Sequence, residues 1–118
     1  MKNRPFRQRL GFALEGILEV WKLEHSFRSQ TVLAVFAILV TVVLHPSFLW
    51  AALVVLSIAL VLALEMINAS IEALIDHVHP DIAPQIKLAK DVAAGAVLIA
   101  SLGSLAIGVP MILDAVSR

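Results

Sequence analysis

Three predominantly apolar runs divide the chain: "TVLAVFAILVTVVL" at 31–44, "FLWAALVVLSIALVLAL" at 48–64 and "VAAGAVLIASLGSLAIGVPMIL" at 92–113. A helix needs about 20 mostly apolar residues to cross the hydrocarbon core of a bilayer. The third run meets that alone, the first is lengthened by "SFRSQ" before it, and the second continues into a polar helical stretch. Three transmembrane helices are therefore expected, at about 28–45, 48–70 and 91–113. Only "HPS" separates the first two, and its proline suits a tight hairpin turn. "HVHPDIAP" at 77–84 carries two prolines, which should stop the second helix and open a loop. Ahead of the first span, Phe6, Leu10, Ala13, Leu14, Ile17 and Trp21 recur at helical spacing, while Arg7, Gln8, Glu15, Glu19 and Lys22 fall elsewhere. This predicts an amphipathic helix over about 5–25, lying on the membrane surface. Continued at about 100° per residue, the same helix would place Glu24 on the apolar face, where an acid needs a partner.

Composition agrees with a membrane protein. Hydrophobic residues make up 60% of 118 and charged residues 15%, with a mean hydropathy of +0.94; soluble domains carry about 25% charge. The absence of cysteine excludes a disulfide scaffold, a thiolate metal site and a cysteine nucleophile. A formal charge of zero suggests no nucleic-acid partner. A cleavable signal peptide is not expected, because the segment after "MKNRPFRQR" carries acids through its apolar positions. Basic residues are distributed unevenly. Lys2, Arg4, Arg7, Arg9, Lys22 and Arg28 precede the first span and Lys87 and Lys90 lie between the second and third, whereas the other side holds only Arg118. By the positive-inside rule the N-terminus and the polar loop are cytoplasmic, where ATP is available.

The second helix turns polar at its end. In "LALEMINASIEALID" (62–76), Glu65, Asn68, Glu72 and Asp76 fall on one helical stripe, and about 10 Å of rise separates Glu65 from Glu72. The stripe therefore runs from within the bilayer toward water. An ionisable residue inside a span costs several kcal/mol and is by default a functional candidate. Glu65, the deepest, is placed to accept a proton from an alcohol. Glu72 and Glu24, nearer the interface, suit Mg²⁺, which takes one or two carboxylates with waters and substrate phosphates. Lys90 offers a point cation for phosphate, and Asp91 beside it a further acceptor.

Blander readings compete on pattern alone. An interhelical hydrogen bond or snorkelling explains Glu65 as well as chemistry does. Glu72 and Asp76 also fit the solvated end of a long helix, and Lys90 with Asp91 a plain interfacial ion pair. His25, His45, His77 and His79 lack zinc-like spacing. The stripe Ala96, Ala100, Ser104, Gly108 in the third span favours packing within the chain over a contact between copies. No phosphate-binding glycine loop and no strand is expected. A proton or ion transport subunit, with Glu65 as its intramembrane carboxylate, is a further possibility, as is an oligomerising scaffold.

"EMINASIEALID" (65–76) with "AKDVAAGAVLIA" (89–100) strongly resembles the signature of the prokaryotic diacylglycerol kinase family, and "GFALEGI" and "EHSFR" extend the resemblance over nearly the whole chain. The resemblance implies one integral membrane lipid kinase domain over 1–118: an all-α bundle of three spans and a surface helix. It also implies a homotrimer with shared active sites, in a bacterial inner membrane. Such an enzyme transfers the γ-phosphate of MgATP to a lipid hydroxyl. Carried over by motif, Glu65 is the general base, and Glu24 and Glu72 hold the divalent ion with ATP. Phe12, Asp81, Ile82, Ala83, Lys90 and Asp91 contact nucleotide, while Asn68 and Ala94, with Glu65, contact the lipid. A basic residue that the family carries in the arm falls at Pro5, and the loop "VHPDIAPQIKL" departs from the diacylglycerol-specific pattern. Diacylglycerol, giving phosphatidic acid, is the expected acceptor. Undecaprenol is the alternative, favoured by "HP" and "AKDVAAGAV", whereas "EHSFRSQ" leans toward diacylglycerol.

Overall fold

The computed structural model describes residues 3–81 and 83–118. Four helices follow in order: α1 (Phe6–Leu23), α2 (His25–Leu44), α3 (Phe48–Val78) and α4 (Pro84–Val116). The protein is all-α, with no strand among the described residues. Three of the helices, α2, α3 and α4, are long and apolar enough to cross a membrane. Their outer faces leave Phe36, Val43, Leu56 and Ile99 exposed. Such a surface is tolerated by lipid and not by water, and it marks a membrane protein.

The helices overrun the segments expected in the bilayer. At 1.5 Å per residue the 31 residues of α3 span about 46 Å, against about 30 Å of hydrocarbon. Pro80 lies in the short loop after α3. Pro84 does not lie in that loop but opens α4 at its first turn, where its missing N–H costs nothing. Lys87, Lys90 and Asp91 are consequently helical. Pro110 sits inside α4, which continues to Val116.

The break between α1 and α2 corrects the expected placement of Glu24. Rather than riding the apolar face of a continuing helix, Glu24 is extended (φ −111°, ψ 108°) and half-buried, ending α1 and preceding α2. Arg28 holds this hinge: its Nη1 donates to the carbonyls of Trp21 (2.8 Å) and Lys22 (2.9 Å), filling acceptors that a helix end leaves open. At the opposite end of the bundle, His45 takes a left-handed conformation (φ 50°, ψ 55°) that closes α2 before Pro46. Arg118 Nη2 donates to the Leu44 and His45 carbonyls there, at 2.8 and 3.0 Å.

The broadest packing is between α3 and α4, with α2 laid against α3. Small residues permit it: Ala69 and Ser57 are buried on α3 and Ala100 on α4, and Ser104 Oγ lies 3.2 Å from Ser57 Oγ. The small-residue stripe of α4 thus serves packing within the chain at Ala100 and Ser104. A Cβ at Gly108 would meet no atom of the described residues, so that glycine is not needed for close approach within the chain. Between α2 and α4, which touch little, lies an apolar groove of about 370 Å³ floored by Val54, Ile58 and Val61 of α3.

Candidate active site

The polar end of α3 is built by the change in composition after Leu64. Counted from Phe48, the apolar stretch before Glu65 covers about 26 Å, which puts Glu65 just inside the edge of a hydrocarbon layer about 30 Å thick. Glu65 is buried, with 5% of its surface exposed. Its Oε1 accepts a hydrogen bond from Ser26 Oγ of α2 at 2.8 Å. Its Oε2 has no hydrogen-bond partner among the described residues, yet it is not among the sealed, unpartnered atoms. One oxygen is held and the other is left without a bond among the described residues.

One turn on, Asn68 Nδ2 donates to Glu72 Oε1 at 3.3 Å. Asn68 Oδ1 is sealed from the surface and unpartnered, the sole such side-chain atom among the described residues. A buried amide oxygen without a donor costs roughly 1–3 kcal/mol. The next acid, Asp76, takes a bond from Lys90 Nζ of α4 at 2.6 Å, tying the two helices together. Lys90 is not paired with its neighbour Asp91. That carboxylate turns back one helical turn to Lys87 Nζ at 2.7 Å. The Asp91 carboxylate, by hydrogen bond and then by charge, holds the Lys87 ammonium above its ordinary value. Lys90 spends one of its three N–H donors on Asp76, and two remain.

Asp81, Lys90 and Asp91 come together around a cleft of about 250 Å³, joined by His79 and Lys87. The His79 ring lies 3.1 Å from the Asp81 carbonyl through Nδ1, holding the loop's turn. Ala83, half-buried, caps the start of α4. Ile82 lies outside the described residues. Phe12 is an exposed residue of α1, and Ala94 an exposed residue of α4.

Among the described residues no three His, Asp or Glu side chains form a metal cage. Mg²⁺ asks for less, since phosphates and waters complete its octahedron. Glu72 has the hard oxygen donors for it, and the bond from Asn68 occupies only Oε1. Glu24 stands at the hinge two residues from Ser26, and so on the same end of the bundle as Glu65. Glu72 and Glu24 each carry hard oxygen donors of the kind a divalent ion arriving with phosphate takes.

Two residues of this neighbourhood escaped the sequence reading. Lys87 lies one helical turn before Asp91 and was legible from spacing, had the helix been extended back to Pro84. Ser26 lies 39 residues from Glu65, and no periodicity signals that contact.

A helical membrane protein with a buried carboxylate at one end of its span, and lysine-lined polar space beyond it, belongs among proteins that act where lipid meets water. The family model for prokaryotic diacylglycerol kinase matches residues 11–112, and the chain belongs to that family. Relatives named diacylglycerol kinase are similar over most of the chain. That of Helicobacter pylori (strain J99) is 36% identical over 90 residues, covering 76% of this chain and 70% of the relative. That of Escherichia coli (strain K12) is 30% identical over 90 residues, covering 76% and 74%. The Synechocystis protein is longer: 32% identity over 98 residues covers 82% of this chain but 56% of that relative.

Proposed function

We propose that the chain is an ATP-dependent lipid kinase that transfers the γ-phosphate of ATP to the hydroxyl of diacylglycerol, giving phosphatidic acid and ADP. The observation that carries this reading is the buried Glu65 carboxylate, with Oε1 held by Ser26 and Oε2 free, at the membrane edge of a polar stripe. Diacylglycerol is preferred to undecaprenol as acceptor because the family and the relatives named above carry that substrate in their names.

In the proposed reaction the lipid hydroxyl approaches from the bilayer with its proton toward Glu65 Oε2. As the oxygen bonds to the γ-phosphorus, the proton passes to Oε2, and the bond from that phosphorus to the β–γ bridging oxygen breaks. Asn68, one turn beyond Glu65 and bonded through Nδ2 to Glu72, borders the acceptor lipid. Lys90 directs its unused donors at phosphate oxygens, and Asp91, Asp81, Ile82, Ala83 and Phe12 border the nucleotide. Ala94 faces lipid. Glu24 and Glu72 would hold Mg²⁺, which would supply neutralisation of phosphate charge. The working unit is a homotrimer in a bacterial inner membrane, with α1 on the cytoplasmic surface and the polar end of α3 facing the cytoplasm. The excess of Lys and Arg at that end supports the orientation.

Purified protein in mixed micelles, given ATP labelled in its γ-phosphate and both diacylglycerol and undecaprenol, tests the reading. Label is expected in phosphatidic acid. Label confined to undecaprenyl phosphate overturns the acceptor, and no lipid labelling at all overturns the kinase.

A further inference from the structure

We infer that Ser26 is a positioning residue for phosphoryl transfer: through its 2.8 Å bond to Oε1 it fixes the Glu65 carboxylate so that Oε2 meets the acceptor hydroxyl. The inference rests on the reading of Glu65 as the base, and concerns a residue to which neither the polar stripe nor the family resemblance assigns a role.

Three observations carry it. First, Glu65 is a buried carboxylate whose partner among the described residues is this one hydroxyl. Packing confines the side chain, and Ser26 is the hydrogen-bond donor among the described residues that fixes which way the carboxylate plane turns.

Second, Ser26 sends its hydroxyl across to another helix, as the Ser57–Ser104 pair also does, where other hydroxyls of the spans bond back within their own helix. Thr31 donates to the Phe27 carbonyl, Thr41 to the Ala37 carbonyl and Ser57 to the Val54 carbonyl, each within its own helix at 2.8–2.9 Å. That is the economical use of a hydroxyl in lipid, because it leaves no donor unmet. Ser26 sits in the first turn of α2, and the carbonyl four residues back belongs to Lys22 of α1. That carbonyl is taken by Arg28. The break at Glu24 thus frees the Ser26 hydroxyl to reach across to α3.

Third, the hinge that frees Ser26 contains Glu24, two residues earlier, and is clamped by Arg28. One turn therefore carries both a proposed ion ligand and the group that orients the base. Placing them on the same turn makes the position of α1 and the aim of Glu65 interdependent.

The test uses the full chain in mixed micelles, with initial rates against diacylglycerol and against MgATP. A misplacement of about 1 Å at a reacting group costs up to about 100-fold, so Ser26→Ala should lower kcat by about 10- to 100-fold. KM for ATP should stay within about twofold, because the nucleotide residues are untouched. Ser26→Thr keeps the donor and should restore kcat to within about threefold of the parent. An unchanged kcat in Ser26→Ala overturns the inference, as does a loss in which KM for ATP rises in step or which Thr does not rescue, since those report a deformed hinge. If Ser26→Ala fails to fold, Ser26→Cys takes its place: similar in size but a weak donor, it should show the same fall in kcat at constant KM. A parental kcat in that variant overturns the inference. Glu65→Gln, measured beside them, separates the two ideas. If it turns over normally, the base reading fails; if it is dead while Ser26→Ala is normal, only the positioning role fails.

Discussion

Replacing Glu65 by Gln isolates proton acceptance from everything else that side chain does. The amide has nearly the same shape, and its Oε1 accepts the same bond from Ser26 that the carboxylate takes at 2.8 Å. Packing around a residue with only 5% of its surface exposed is therefore preserved. What disappears is the basicity of the second oxygen. General-base catalysis typically contributes about 10²- to 10⁴-fold, or about 2.7–5.4 kcal/mol in the barrier at about 1.36 kcal/mol per tenfold. Phosphate transfer to diacylglycerol in mixed micelles should fall by at least about 10²-fold, with KM for ATP little changed. Thermal melting and sedimentation in the same detergent should match the parent. Glu65→Asp makes a second probe: one methylene shorter, it withdraws the carboxylate from both Ser26 and the acceptor, and a loss of about 10²-fold is expected despite the retained charge. If Glu65→Gln keeps a kcat within about tenfold of the parent, Glu65 is not the base. A Gln variant that loses activity only because it no longer folds would assign Glu65 a structural role instead.

Further outcomes follow from other parts of the site. Glu72→Gln and Glu24→Gln should each raise the Mg²⁺ concentration needed for half-maximal activity or abolish turnover, as read by Mg²⁺ titration at fixed ATP; indifference of both would remove the proposed ion site. Lys90→Met should raise KM for ATP more than it lowers stability, because its pair with the largely exposed Asp76 is worth no more than about 1 kcal/mol. Asp76→Asn, which breaks the same pair without removing the cation, should leave KM for ATP near the parental value. Ala100→Leu, forced into the α3–α4 contact where Ala100 is buried, should destabilise the fold by about 1–3 kcal/mol, measured by denaturation in detergent.

The sequence itself determined the class of this protein. Three long apolar runs can be satisfied only in lipid, and lipid admits only structures whose backbone bonds close internally, so helices follow from composition. The order of Glu65, Asn68 and Glu72 along one face was equally legible, because helical periodicity is local and Pro46 and Pro80 mark where each helix must end. Glu24 was misplaced because a periodic pattern carried through residue 24 cannot register a single extended residue, whose cost is met by Arg28 from the following helix. The pairing of lysines and acids was also undetermined. Lys90 is adjacent to Asp91 in sequence, yet residues one apart on a helix point about 100° apart, which sends Lys90 to Asp76 and leaves Asp91 to Lys87. The contact that matters most to the proposed chemistry, Ser26 to Glu65, arises from how α2 lies against α3, and side-chain packing between helices has no signature in either helix alone. Local physics determined what each segment is; only tertiary packing decided which oxygen of Glu65 is held by Ser26 and which has no partner among the described residues.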